Sequence, residues 1–500
     1  MVRPLLALAS LALSTAPTVA SVAMPSLFSD HMVLQRDVPL RVWGWAAPGE
    51  IVNVHIAKGE PANRIRSART VTGPDGKWEV SLLPLPAGGP FELQVLGQNS
   101  LAFTDVLAGD VWVGSGQSNM EMAVASSKDA QTEIAAANHP DIRLFTVPRR
   151  STEFPMADAY GTWARCSPET VPRFSAAAYF FGRELRQQLG VPIGLIHSSW
   201  GGTPAEAWTP RPWLRAHSVL GQRLGAYLEG LKTYPERKAQ WDAEMETWRR
   251  KPEAERGPQP RAPGGGPGGG GVPGGLYQGM IAPLVKYPVR GVIWYQGESN
   301  AGEPELYSEL FPMMITAWRQ AWNRPELPFY FVQLANFETG FNWAWVREAQ
   351  AAALRLPHVG LATAIDVGEA RDIHPKNKQA VGRRLALIAL ADAYRRPVQG
   401  FGPTYTGFAV EGSAIRVQFA AAQGLNARGG TVTSLEIAGD DRKFVPATGT
   451  VDGQTLVVRS AEVPHPVAVR YAWASNPSAN LYNGAGLPAP PFRTDAWPRQ

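Results

Sequence analysis

Four short stretches place polar residues directly behind apolar runs, and their side chains are the types that acyl transfer requires. Gly114-Ser115-Gly116-Gln117-Ser118-Asn119-Met120 follows DVWV, where the glycines permit a sharp turn and Ser118 projects a hydroxyl at a sheet edge. Ser118 is the candidate nucleophile, although Met120 rules out a Gly-x-Ser-x-Gly elbow. The plainer reading is a turn serine that caps a short helix. Ser198-Ser199-Trp200-Gly201-Gly202-Thr203-Pro204 follows IGLIH, and its paired glycines can present a backbone N–H. Gln296-Gly297-Glu298-Ser299-Asn300 follows VIWY and either aims the Asn300 amide at the same point or caps a helix. The stretch from Asp366 to Pro375 follows LATAI; of eight histidines, His374 is the one placed after the last strand of the alternating region beside a carboxylate, Asp372. A serine hydroxyl is inert near neutral pH unless a base takes its proton, and the oxyanion it creates needs donors already in place. The four stretches supply a nucleophile, a base, a carboxylate to hold the imidazole, and donors besides the Ser118 N–H.

Those residues need a scaffold that gathers strand ends. From 110 onward, the runs DVWVGSG, IRLFTV, IGLIHSS, GVIWYQG, FYFVQL and GLATAI alternate with helix-compatible stretches at 175–189, 306–322, 344–355 and 377–395. Such alternation predicts a parallel sheet covered by helices, with ligands outside the carboxyl ends of the strands. Residues 24–107 carry short alternating runs broken by Pro-Gly, Asp-Gly and Gly-Gly pairs, which predicts an N-terminal β-sandwich. The α/β domain is expected in two parts, 108–208 and 276–398, separated by an insertion at 209–275. That insertion is read as a charged helical stretch at 218–250 running into GPQPRAPGGGPGGGGVPGG, a flexible connector that lacks the Lys-Ser/Thr of a phosphate loop. Its glycine-rich end, 262–275, is expected to be mobile. A second β module is expected at 399–500.

Composition narrows the function classes. Hydrophobic residues are 44% and charged residues 18% of 500, the profile of a globular chain and not of a disordered one. The net charge of +5 is scattered, so nucleic acid is not an expected partner. One cysteine, Cys166, excludes an intramolecular disulfide framework and a Cys-rich metal site. Residues 1–23 read as a cleaved secretory leader with possible ends at Ala20 or Ala23, and no later run is long enough to span a membrane. The mature chain is expected in the periplasm or secreted.

The order Gly-x-Ser, a glycine block, Gly-x-x-Asn, then Asp and His resembles the SGNH hydrolase superfamily. The strings SGQSNMEM, PIGLIHSSWGGTPAEAW, GVIWYQGESNA and DIHPKNKQAVGRRLA resemble more narrowly the sialate O-acetylesterase family of carbohydrate acetylesterases. The resemblance covers about 108–208 and 276–396 and extends to SDHMVLQRDVPLRVWGWAAPGE. It implies a flavodoxin-like three-layer sandwich with accessory β modules, an acetylated carbohydrate as substrate, and no metal or organic cofactor; no HExxH pattern is present. It also implies Ser118 as nucleophile, His374 as base, and an oxyanion hole of the Ser118 N–H, the Gly202 N–H and the Asn300 side chain. Many superfamily members place the acid three residues before the histidine; here Asp372 is two before. Asp372 is nevertheless the expected orienting acid, with Asp366 as the competitor read as a strand-end residue bonding the Gly368 loop.

Other residues carry two readings each. Glu298 is a second acid or a hydrogen-bond anchor. Trp200, Trp208, Trp343 and Trp345 are sugar platforms or core. Cys166 is read as a small buried hydrophobe. Acetylated sialic acid competes with acetylated xylan or xyloglucan as substrate, and a sialate carboxylate would need a nearby Arg or Lys. A non-catalytic carbohydrate-binding protein on a hydrolase scaffold is the reading from a different class.

Overall fold

The computed structural model of the chain describes residues 21–59, 63–341 and 343–499. Six strands come first: β1 (Val33–Gln35), β2 (Leu40–Trp45), β3 (Ile51–Lys58), β4 (Asn63–Val71), β5 (Lys77–Leu82) and β6 (Gly88–Leu96). In β5 the period of two is explicit, with Trp78, Val80 and Leu82 buried and Lys77, Glu79 and Ser81 exposed. Residues 1–20, which hold most of the expected leader, lie outside the described residues. Val22 and Ala23 belong to the β module: Val22 is buried, and Ala23 exchanges backbone hydrogen bonds with Trp45 at 2.8 and 2.9 Å.

The seventh strand, β7 (Ser100–Gly116), corrects the boundary expected at 107/108, because it crosses that point without a break. Its first half alternates between exposed and half-buried residues where it pairs with β6, and from Val106 every residue is buried. The change in pattern marks a change of neighbours along one strand. Past that point β7 is the centre of a sheet with β8 (His139–Thr146), β9 (Trp163–Cys166), β10 (Ile193–Ser199), β11 (Gly291–Tyr295), β12 (Phe329–Gln333) and β13 (Val359–Thr363). The spatial order is β13-β12-β11-β7-β10-β8-β9, parallel throughout except for the β8–β9 pair. The core five, β10-β7-β11-β12-β13, have the flavodoxin-like order, with β8 and β9 added at one edge.

Eight helices accompany these strands among the described residues: α1 (Ser118–Glu121), α2 (Ala130–Ala135), α3 (Ala176–Leu189), α4 (Arg211–Ala216), α5 (Ser218–Arg250), α6 (Pro304–Ala321), α7 (Trp343–Ala351) and α8 (Lys378–Asp392). Trp112 of β7 meets Phe181 of α3 on one face of the sheet, while Trp294 of β11 meets Phe311 and Trp318 of α6 on the other. Helices therefore cover both faces. Beyond 400, two four-stranded antiparallel sheets enclose a separate core that includes Ile415, Leu456, Val458 and Tyr471.

The insertion departs from expectation in its glycine-rich part, which is laid back along α5. Trp248 Nε1 donates to the Gly257 carbonyl at 2.7 Å, Trp241 Nε1 to Pro260 at 3.1 Å, and Arg237 Nη1 to Gly264 at 3.0 Å. Residues 237, 241 and 248 lie along one helix face, so the face supplies a row of donors to an otherwise unpaired backbone. The far end is fixed to the α/β body: Val272 is buried, Arg211 donates to the Pro273 carbonyl at 3.0 Å, and the Gly274 N–H donates to the Glu206 carbonyl at 2.9 Å. A glycine pattern shows how free a chain is locally but not which partner waits for its carbonyls.

Candidate active site

At the end of β7 the backbone of Gly116 lies so close to β11 that a Cβ there would collide with the Tyr295 carbonyl, and its φ is +137°. Only glycine fits both constraints. The Gln117 N–H then bonds the Tyr295 carbonyl at 2.9 Å, and the chain turns into α1 with Ser118 as its first residue. An amide in a first helical turn has no intrahelical acceptor, and the Ser118 N–H meets none elsewhere among the described residues. The Ser118 side chain is half-buried and reachable.

His374 arrives on the loop after β13, and its Nε2 lies 2.9 Å from Ser118 Oγ. Asp372 Oδ1 accepts the His374 backbone N–H at 2.9 Å and stands 3.5 Å from the ring Nδ1, an ion-pair contact longer than a hydrogen bond. Asp372 thus shapes the turn that carries the imidazole as well as facing the ring. Asp366 is elsewhere, held by both oxygens to Arg384 at 2.7 Å and by the Tyr482 hydroxyl at 2.9 Å. It does not bond the Gly368 loop, as the sequence suggested; the Gly368 N–H donates to Asn336 Oδ1 at 2.8 Å. Arg384, on α8, is the partner that local sequence could not reveal.

The glycine block after β10 abuts Ser118, since a Cβ on Gly201 would come within 3.2 Å of Ser118 Cβ. The Gly201 N–H donates to Glu121 Oε2 at 2.9 Å, which fixes the turn, and Gly202 follows at φ +72°. Among the described residues the Gly202 N–H meets no acceptor. Asn300 is oriented by three bonds: its Oδ1 accepts from the Ala205 N–H at 2.9 Å and Gln296 Nε2 at 2.7 Å, and its Nδ2 donates to Glu206 Oε2 at 2.9 Å. One Nδ2 hydrogen is left over. A hydroxyl in hydrogen-bond reach of an imidazole, with unpaired N–H donors beside it, is an arrangement able to add to a carbonyl and hold the resulting oxyanion.

Several neighbours had no role assigned from sequence. Glu121 and Glu206 orient the glycine turn and Asn300, and both sit inside the strings SGQSNMEM and GGTPAEAW, which gave the only signal for them. Glu298 behaves as the anchor of its two readings, because its Oε1 accepts from Asn119 Nδ2 at 2.6 Å and burial pushes its carboxyl upward. His197, at the end of β10, faces Ser199 and is pulled down to about 4 by burial, so it is a neutral core group. Trp208 and Trp343 are core, and Trp345 packs against Trp473 and Arg493. Trp200 alone of the four stays beside the site, with the Arg149 guanidinium 5.9 Å from its ring. Cys166 is buried, and its thiol is pushed up to about 12.

Comparison with known proteins places this chain among the carboxylic ester hydrolases. A family model described as "Carbohydrate esterase, sialic acid-specific acetylesterase" matches residues 262–391. The chain is 32% identical to a sialate O-acetylesterase of Rattus norvegicus, over 93% of this chain and 93% of that protein, and 30% identical to one of Homo sapiens, over 93% and 91%. A crystal structure of a carbohydrate acetylesterase from Xanthomonas citri superposes with a TM-score of 0.81 at 37% identity, covering 95% of this chain and all of that one. The chain belongs to the sialate O-acetylesterase family.

The two aspartates should separate cleanly. Asp372→Asn keeps an acceptor for the His374 N–H but loses the charge facing the ring, and kcat is expected to fall by roughly 10³–10⁴ with little change in thermal midpoint. Asp366→Ala strands the buried Arg384 guanidinium and is expected to cost about 3–5 kcal/mol of stability in denaturant titration, with a much smaller loss of kcat in the protein that stays folded. Reversed effects would reassign the orienting acid.

Proposed function

We propose that the chain is an exported serine esterase that removes O-acetyl groups from sialic acid residues by way of an acetyl-enzyme. The observation that carries this reading is the 2.9 Å contact between Ser118 Oγ and His374 Nε2 in a member of this family. In the proposed reaction Ser118 Oγ attacks the acetyl carbonyl carbon while its proton passes to His374 Nε2. The oxyanion forms against the Ser118 N–H, the Gly202 N–H and the spare Asn300 hydrogen, where such donors are most effective because they need no reorganisation. The C–O bond to the sugar then breaks, and the sugar oxygen leaves with the proton from His374. Water enters, loses its proton to the same imidazole and attacks the acetyl group; Ser118 Oγ leaves, reclaims the proton, and acetate is released. Asp372 stabilises the imidazolium that exists between these transfers.

Arg149 favours sialate over a neutral glycan. Its side chain is 54% exposed, lies against Trp200, and shares Glu121 with the glycine turn that abuts Ser118. A guanidinium beside an aromatic face suits a sugar that carries a carboxylate. Export is proposed on the leader-like residues 1–20, with cleavage after Ala20, because Val22 and Ala23 are integral to the β module.

Three outcomes test this reading. Ser118→Ala is expected to lose more than about a hundredfold in kcat for acetate release with its fold intact, and a smaller loss would exclude the serine as nucleophile. Arg149→Gln is expected to raise KM for O-acetylated sialic acid by about tenfold while leaving acetylated xylo-oligosaccharides unaffected, the loss of one charge-assisted contact; equal effects on both would remove Arg149 as the carboxylate partner. Amino-terminal sequencing of the exported protein is expected to begin at Ser21, and a start at Met24 or an uncleaved chain would contradict the proposed cut.

A further inference from the structure

Behind Ser118 lies a buried polar cluster that the proposed reaction leaves without a role. Asn119 is 1% exposed and Lys378 0%. Asn119 Oδ1 accepts from Lys378 Nζ at 2.6 Å, while its Nδ2 donates to Glu298 Oε1 at 2.6 Å and to the Ile373 carbonyl at 3.0 Å. Both hydrogens of one amide are therefore committed. Four segments meet there: the nucleophile turn, the loop after β11, the loop that carries His374, and the first residue of α8.

The chemistry of the cluster fixes which way the amide points. An ammonium can only donate, so it must face Oδ1. A carboxylate can only accept, so it must face Nδ2. With the pair charged, the flipped amide would set its NH2 group against the ammonium and its oxygen against the carboxylate, and both bonds would be lost. Glu298 Oε2 is sealed from solvent and has no partner among the described residues, so Asn119 supplies the only side-chain hydrogen bond to that carboxylate. Lys378 Nζ is also 5.1 Å from the Tyr295 ring, the residue whose carbonyl holds the Gln117 N–H. Burial pulls the Lys378 ammonium down to about 7 and pushes Glu298 up, and the charge of each opposes the shift of the other. A pair so placed is hard to break without loss of stability and is sensitive to the polarity of whatever bridges it.

The second hydrogen of the oriented Nδ2 reaches the carbonyl of Ile373, the residue immediately before His374. We infer that Asn119, clamped between Lys378 and Glu298, is a positioning residue whose hold on the Ile373 carbonyl sets the His374 imidazole against Ser118. This rests on the reading of Ser118 and His374 as nucleophile and base. It gives Asn119 a task distinct from that of Asp372, which bonds the amide of His374 from within the same loop. The Ile373–His374 peptide is then held on both sides, its N–H by Asp372 from within the loop and its carbonyl by Asn119 from the nucleophile turn.

The test reads the Ser118–His374 pair directly, as the second-order rate of Ser118 labelling by a fluorophosphonate, with the thermal midpoint measured on the same samples. Asn119→Asp keeps the acceptor for Lys378 but turns an oxygen toward Glu298 and Ile373; labelling is expected to slow by about 50-fold or more, with some loss of stability. Asn119→Asp combined with Glu298→Gln restores the clamp, because the amide introduced at position 298 donates to the carboxylate introduced at position 119, yet still offers Ile373 no donor. Stability should recover in the double variant while labelling stays slow. Glu298→Gln by itself keeps both bonds from Asn119 and should slow labelling by only about 5-fold. Labelling that recovers in step with stability would make Asn119 merely structural and overturn the inference, as would an Asn119→Asp protein that labels like wild type. If Asn119→Asp does not fold, Glu298→Gln against the double variant gives the same comparison. Wild-type protein that fails to label at Ser118 would count against the serine-esterase reading, whereas wild type and Asn119→Asp labelling equally would count against this inference alone.

Discussion

Two side chains separated by 256 positions in the chain must meet at 2.9 Å, Ser118 Oγ and His374 Nε2, and much of the architecture follows from that requirement. Loop closure over such a span is tolerable only when intervening elements are themselves folded against one another. The parallel sheet meets the need by ending β7, β10 and β11 along one edge, so that each contributes a short loop on the same side. The His374 loop then descends from the far strand β13 toward the centre. The close approach of β7 to β11 at Gly116 and Tyr295 sets how near those loops can come.

Carboxylates near the site orient donors. Glu121 takes the Gly201 N–H and leaves that of Gly202 unpaired; Glu206 takes one Asn300 hydrogen and leaves the other; Glu298 takes one Asn119 hydrogen and leaves the other for Ile373. In each case an acid fixes a turn or an amide so that a neighbouring N–H is free or correctly aimed. Preorganisation of this kind places positive dipole ends around Ser118 without adding a second proton donor. Arg149, paired to Glu121, extends the same arrangement to the rim.

Sequence made the strands of the α/β sheet legible because β10, β11 and β12 are buried on both faces and so read as unbroken apolar runs. The rule that ligands sit at strand carboxyl ends then led to Ser118, the glycine block, Asn300 and His374. What stayed hidden was long-range. Lys378 and Asn119 are 259 positions apart, and a lysine in the first turn of a helix reads locally as solvated. The continuity of β7 was hidden because its burial pattern changes midway, which looks like a domain boundary in sequence. The Gly-Pro tract looked free because its partners, Trp241, Trp248 and Arg237, sit on a helix whose charged sequence suggests exposure. Asp366 was misplaced for the same reason, its ion pair with Arg384 being set by the packing of α8 and not by the loop around it.

In the proposed reaction Ser118 carries the acetyl group between sugar and water. Acid quenching of the enzyme during turnover of an O-acetylated sialic acid, followed by peptide mass spectrometry, tests it most directly. One added acetyl group is expected on the peptide containing Ser118, accumulating before steady state and absent once substrate is exhausted. Acetate release at full rate with that peptide never acetylated, and with the added group found on another residue or on none, would contradict it.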